Sequence, residues 1–182
     1  MTRTLVFGGA RSGKSAYAEK LAADSGKEVI YIATAQAGDA EMAARIAHHR
    51  QRRNSGWTTV EEAQALGEVI TRWSAPERLI LIDCLTVWLS NLLFSQEQDF
   101  PEIGEIIPPA CFQQQRDGFL QALEQAGGDV VMVSNEVGMG IVPQGAVSRW
   151  FVDEAGRLNQ AVAARCERVF WVAAGLPLAL KG

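Results

Sequence analysis

The chain has 182 residues, a length that suits one domain and buries roughly 70% of the unfolded surface without disulfide or metal staples. Its net charge of −4 and its 48% apolar content describe an ordinary globular protein and exclude nucleic acid as the main partner. No apolar run approaches the roughly 18 residues of a transmembrane helix. The N-terminus enters a strand and a glycine-rich loop at once, with no signal-like apolar stretch, so a soluble, cytoplasmic protein is expected.

In chain order, a short apolar strand at 4–7 meets the glycine-rich loop, and a helix follows over 14–24, closed by Gly26. Residues 29–33 are continuously apolar, as a strand buried on both faces is. A polar helix over 40–53, a short strand over 57–60 and a helix over 61–73 come next. The run at 78–83 is a buried strand ending on a carboxylate. A helix over 85–94 precedes an irregular, proline-bearing stretch at 95–109. A helix over 110–126 stops at Gly127 and Gly128, and 130–134 is again a strand. A glycine-rich loop over 137–145 leads to a helix over 147–165, then to strands at 169–172 and 176–180. Strands recurring between helices imply one three-layer α/β domain spanning 1–182, with a mainly parallel central sheet.

Cys84, Cys111 and Cys166 are odd in number and lack a Cys-x-x-Cys pair. They read as reduced core or near-core thiols of a reducing compartment, not as a disulfide or thiolate metal framework.

The segment GGARSGKS fits the Walker A pattern, with Gly8, Gly13, Lys14 and Ser15 at its defined positions and Gly9, Ala10, Arg11 and Ser12 between them. A phosphate chain is multiply charged, so many N–H dipoles must come close, and glycines permit that backbone approach. The helix that follows aims its N-terminus at the anion. Lys14 is expected at the β- and γ-phosphates, and Ser15 on Mg²⁺. This makes the fold P-loop NTPase-like. Asp83 closes the run LILID, where a second Mg²⁺ ligand would stand, or where a strand simply ends on a polar residue. Glu136, after VVMVSN, has two readings: a substrate contact or a loop anchor.

The only histidines are adjacent, His48 and His49. On an α-helix Met42, Ile46, His49 and Arg53 share one face, whereas His48 lies about 100° away. His49 thus reads as an inward structural histidine, or as a neutral imidazole that attacks phosphorus, with Arg45, Arg50, Arg52 and Arg53 balancing the phosphate charge.

Taken together, GGARSGKS, YIATAQ, DAEMAARIAHHR, WTTVEE, ILIDCLTVWLSNLL, VSNEVGMGIVP and FVDEAGRLNQ resemble the bifunctional adenosylcobinamide kinase / adenosylcobinamide-phosphate guanylyltransferase family of cobalamin biosynthesis. The blocks span nearly the whole chain. The resemblance implies two reactions: phosphorylation of the corrinoid hydroxyl by a nucleoside triphosphate, ATP or GTP, then transfer of GMP from GTP through a guanylyl-histidine. It assigns the modified histidine to the second of the pair, His49. It also implies nucleotide contacts at Ala33, Thr34 and Ala35, at Arg50, Gln51, Arg52 and Arg53, at Glu61 and at Asp83, and a homotrimeric assembly.

In two places the chain departs from the pattern. Asp83 stands where some relatives carry glutamate, and the stretch 96–109 matches none of its motifs. Two other functions share part of the pattern. A monofunctional small-molecule kinase would use the loop and Asp83 but not a histidine nucleophile. A GTP-dependent binding protein would read guanine through an Asn-Lys-x-Asp loop, which this sequence lacks.

Overall fold

The computed structural model describes residues 1–36 and 54–182. The expected helix over 40–53 lies outside the described residues. The described elements, in order, are β1 (Arg3–Gly8), α1 (Lys14–Asp24), β2 (Glu28–Ala33), β3 (Thr58–Glu61), α2 (Leu66–Trp73), β4 (Arg78–Asp83), α3 (Leu85–Leu93), α4 (Ala110–Gln125), β5 (Asp129–Asn135), α5 (Ala146–Arg165), β6 (Arg168–Ala173) and β7 (Leu176–Lys181). Most coincide with the predicted spans to within one or two residues.

The seven strands form one sheet in the order β3-β2-β4-β5-β1-β6-β7. All neighbours are parallel except β7, which returns antiparallel along β6. Strand side chains alternate between faces, so a continuously apolar strand feeds two separate cores. On one face Leu5, Ile30, Ile32, Ile80, Ile82, Val130 and Met132 pack with apolar residues of α2, α3, α4 and α5. On the other, Val6, Val29, Tyr31, Leu79, Leu81, Val131, Val133 and Val172 meet Ala18 and Ala22 of α1. These small residues let α1 lie close on the sheet. Helices on both faces of a mainly parallel sheet make the predicted α/β three-layer, P-loop NTPase-like architecture.

Trp88 of α3 is fully buried, tilted against Phe119 with ring centroids 4.9 Å apart. Its indole N–H donates to the Gln64 carbonyl at 2.7 Å, so the polar end of the largest core side chain is satisfied.

One element differs from expectation. The helix predicted from Glu61 begins only at Leu66, because Glu61 ends β3, in register with Ala33. The Glu62 N–H bonds to the Ala33 carbonyl at 3.0 Å, which extends the sheet by one further bond. A Glu62 carboxylate oxygen then accepts the N–H groups of Gln64 and Ala65, each at 2.8 Å, so backbone groups ahead of the helix are satisfied by a side chain.

The stretch 95–109 has no helix or strand, as predicted, but it is anchored. Ile106 and Phe100 join the larger core, and the Glu102 carbonyl accepts the Ala146 N–H at the start of α5 at 3.1 Å.

The connection from β6 to β7 is a tight turn with two consecutive positive φ angles, 51° at Ala174 and 78° at Gly175. Paired positive φ is the requirement of the hairpin turn that favours Asn-Gly, and alanine pays a left-handed penalty of about 1 kcal/mol there. Ala174→Asn at this exposed site is therefore expected to raise the melting temperature by roughly 2–4 °C in a thermal unfolding scan. An unchanged or lower value would mean that the turn carries no strain at Ala174.

Candidate active site

The phosphate loop hangs between the end of β1 and the start of α1, and its shape is set by how close it lies to the β6–β7 turn. A Cβ added at Gly8 would stand 2.3 Å from the Val172 carbonyl oxygen, and one at Gly13 would stand 2.9 Å from the Gly175 Cα. Gly13 also has φ 95°, and Arg11 before it has φ 56°. The Gly175 N–H donates to the Ser12 carbonyl at 2.8 Å, fastening the loop to the turn. Within the loop the Ser12 N–H bonds back to the Gly9 carbonyl at 3.3 Å, and the buried Ser12 hydroxyl has no partner among the described residues. Helix α1 opens at Lys14, so its first N–H groups have no intrahelical acceptor and face the loop.

Lys14 is 9% exposed and its ammonium donates to the Gly9 carbonyl at 3.1 Å. Burial lowers its pKa from the ordinary lysine value, while Cys84 and Asp83 nearby pull it back up. A cation held in the loop beside a carboxylate suits it to the outer phosphates of a nucleotide. Ser15, half-buried in the first turn of α1, stands beside it.

The opposite wall is the carboxyl edge of β4, β2 and β3. Register places Asp83 level with Ala33, and Ala33 level with Glu61, so three sequence-predicted residues form one row. The Tyr31 hydroxyl donates to Asp83 Oδ2 at 3.1 Å. Thr34 is fully buried. Its hydroxyl donates to the Cys84 carbonyl at 2.9 Å and accepts the Cys84 N–H at 2.8 Å, so its side chain braces the turn after β4, while its own N–H donates to the Asp83 carbonyl at 3.1 Å. The Asn91 amide donates to the Thr34 carbonyl at 2.8 Å and the Ala63 carbonyl at 3.1 Å, tying together the exits of β2 and β3. Ala35 lies half-buried just beyond. His48, His49, Arg50, Gln51, Arg52 and Arg53 lie outside the described residues.

Strand β5 runs between the two walls, paired with β1 on one side and β4 on the other. Glu136, just past its end, donates its N–H to the Gly8 carbonyl at 3.0 Å, and its carboxylate accepts the Gly138 N–H at 2.6 Å. Of its two readings, the loop anchor is the one these contacts describe. Sequence reasoning passed over Asn135, Thr86, Asn91, Asn159 and the Gly175 turn. The legible signal was polar residues inside otherwise apolar segments.

Cys84 is buried and its thiol is pushed up to about 11, by desolvation first and by Asp83 second, so it stays protonated near neutral pH. Cys166 is likewise pushed up to about 12 by burial, and Cys111 is half-buried; all three are free thiols. Among the described residues no group of three or more His, Cys, Asp or Glu is arranged to hold a metal ion. The two sequence-predicted metal residues, Ser15 and Asp83, offer a hydroxyl and a carboxylate oxygen, hard donors of the kind Mg²⁺ takes one or two of beside waters and substrate phosphates.

Known proteins share this architecture and, more closely, this sequence. The chain overlaps an ATPase of the type III secretion system of pathogenic bacteria with a TM-score of 0.55 at 13% identity, over 98% of this chain and 56% of that one. It overlaps the type III secretion ATPase EscN of enteropathogenic E. coli with a TM-score of 0.54 at 14% identity, over 95% of this chain and 43% of that one. Those likenesses concern the fold alone. The bifunctional adenosylcobalamin biosynthesis protein CobP of Pseudomonas aeruginosa is 50% identical over 180 residues, covering 99% of this chain and 98% of the relative. The corresponding protein CobU of Escherichia coli is 44% identical over 179 residues, covering 97% and 98%. The family model described as cobinamide kinase / cobinamide phosphate guanyltransferase matches residues 4–180, and with relatives this similar along their whole length, the chain belongs to that family.

Proposed function

We propose that this chain, as a single catalytic unit, phosphorylates adenosylcobinamide and then guanylylates the product, using one phosphate cradle for both reactions. The observation that carries the reading is Lys14 folded into the Gly8–Ser15 loop beside Asp83, in a chain of this family. In the first reaction the corrinoid hydroxyl oxygen attacks the γ-phosphorus of ATP or GTP. The bond to the β–γ bridging oxygen breaks, its electron pair leaves with the nucleoside diphosphate, and the hydroxyl proton passes to water.

In the second, His49 attacks the α-phosphorus of GTP and the bond to the α–β bridging oxygen breaks. Pyrophosphate leaves with that electron pair, and the imidazole gives its N–H proton to water. An oxygen of the corrinoid phosphate then attacks the same phosphorus, the P–N electrons return to the imidazole, and the ring takes a proton back from water. The products are adenosylcobinamide-GDP and free enzyme. Support for His49 comes from the family resemblance and from its place on the apolar face of the predicted helix. Arg50, Gln51, Arg52 and Arg53 follow it directly and are assigned to the nucleotide, as are Ala33, Thr34, Ala35 and Glu61.

Ser15 and Asp83 would hold Mg²⁺, which when bound neutralises phosphate charge as the bridging bond breaks. A homotrimer is part of the same reading. Leu176, Leu178 and Leu180, all exposed and on one face of the outer strand β7, support self-association. So is a reducing, cytoplasmic setting, supported by the three free thiols.

Lys14→Ala is expected to lower both activities by a hundredfold or more, the equivalent of about 3 kcal/mol at each transition state. In parallel, Asp83→Asn should shift the Mg²⁺ titration of both activities upward with an unchanged circular dichroism spectrum. Either activity surviving intact in Lys14→Ala would reveal two nucleotide sites, and an unmoved Mg²⁺ titration would take Asp83 out of the metal site.

Incubation with α-labelled GTP tests the histidine. His49→Ala should lose the covalent label and guanylyl transfer while still phosphorylating corrinoid, and His48→Ala should only weaken both. The attacking form is the neutral imidazole, so labelling should be full above the histidine pKa, about 6.5 when unperturbed, and fall as pH drops through it. The adduct should be lost in acid and survive base. A labelled His49→Ala protein would move the nucleophile to His48. Sedimentation or light scattering should give three times the chain mass; a monomer at assay concentration would remove the trimer.

A further inference from the structure

The carboxyl end of β5 lies between the phosphate loop and Asp83, and it carries a polar residue to which neither the motifs nor the comparisons assign a role. Register sets Asn135 level with Gly8, the first residue of the loop, and two residues beyond the level of Asp83, which pairs with Val133. Its amide donates weakly to the Cys84 sulfur at 3.8 Å, and Cys84 is the neighbour of both Lys14 and Asp83.

Its backbone is held by side chains from two helices. The Asn135 N–H donates to the Thr86 hydroxyl of α3 at 2.7 Å, and the Asn135 carbonyl accepts from the Asn159 amide of α5 at 3.2 Å. The other end of Asn159 accepts the Ser134 hydroxyl at 2.6 Å, and Ser134 in turn lies 3.4 Å from the Thr86 hydroxyl. Thr86 and Ser134 are buried. Buried polar groups rigidify a site when every member is satisfied, and this closed set spends three side chains on fixing the position of one residue. Among the described residues the amide so fixed has only a thiol as partner, a weak acceptor that is easily exchanged for a charged oxygen.

We infer that Asn135 is a catalytic residue of the kinase half-reaction: its side-chain amide donates a hydrogen bond to the γ-phosphoryl group held by Lys14, with Thr86, Ser134 and Asn159 as its positioning residues. An amide has no basic site near neutral pH, so Asn135 moves no proton. It orients the transferred group and shares its charge while the bond to the bridging oxygen breaks. In the guanylyl step the γ-phosphate departs as part of pyrophosphate, away from the bond being made, so the effect there is smaller. The inference rests on the kinase reading above, but its binding consequence stands apart from turnover.

The experiment compares calorimetric affinities for α,β-methylene-GTP and α,β-methylene-GDP, which differ only in the γ-phosphate and cannot guanylylate a histidine. Asn135→Ala should reduce the preference for the triphosphate about tenfold. Asn135→Asp, nearly the same shape but negatively charged, should reduce it further. Thr86→Val should reduce it in part and Thr86→Ser should restore it. In turnover, kcat for corrinoid phosphorylation should fall at least tenfold in Asn135→Ala, with KM for the nucleoside triphosphate raised in step with its lost affinity and KM for the corrinoid little changed. An unchanged triphosphate preference in Asn135→Ala, or an aspartate tolerated as well as the native amide, overturns the assignment. Wild-type protein that phosphorylates no corrinoid, together with a lost preference in Asn135→Ala, would overturn the kinase reading and leave Asn135 on the γ-phosphate. Should Asn135→Ala fail to fold, the near-isosteric aspartate and the Thr86 pair decide the question.

Discussion

A phosphate chain can be gripped by main-chain dipoles only if the main chain reaches it, and here that reach is set by contact with a second piece of backbone. Gly8 sits where any Cβ would strike the Val172 carbonyl, and Gly13 where it would strike Gly175. The loop is thus pressed against the β6–β7 turn and held there by the bond from the Gly175 N–H to the Ser12 carbonyl. The start of α1, the bend of Lys14 back to Gly9 and the direction of the first helical N–H groups all follow from that placement. Larger residues at either glycine would push the loop off its support, with Lys14 displaced along with it.

The second wall is built by different means. Parallel register brings Glu61, Ala33 and Asp83 level, and side chains then do what ladder bonds cannot do beyond the strand ends. Thr34 exchanges two bonds with the main chain of Cys84, and Asn91 bridges the carbonyls of Thr34 and Ala63. Helix α3 follows Asp83 after one residue and supplies both Thr86 and Asn91, so the same short helix secures the ends of β5, β2 and β3. Its other face holds Trp88 in the core, which makes the position of these polar groups as firm as the packing beneath them.

Much of this was legible in the sequence because the signals were local. Continuous apolar runs such as Val29 to Ala33 and Leu79 to Ile82 announce strands buried on both faces, and the Walker A pattern announces its own strand–loop–helix context. What escaped was non-local. That Glu61 belongs to a strand follows from its pairing with Ala33, a partner 28 positions away (61 − 33), and no helical periodicity in Glu61 to Trp73 reports it. The buttress of the phosphate loop comes from residues more than 150 positions later, and Asn135 gains its setting from two helices far apart in the chain. Glu136 had two readings in sequence, and its short bond from the Gly138 N–H is a loop contact that no sequence pattern reports.

The dependence of the loop on Val172 and Gly175 also bears on how the protein is made. Residues 8–15 leave the ribosome as part of β1 and α1, yet their support is translated more than 150 residues later. Until β6 and the turn after it have emerged, the nascent chain holds a nucleotide motif without a nucleotide site. Contacts that close so late and over such sequence distance slow folding, because the loop entropy is lost before the contact rewards it. A ribosome-bound fragment ending before residue 172 would therefore carry the whole motif and most of the sheet, and still be unable to draw on the cell's nucleotide pool to stabilise itself.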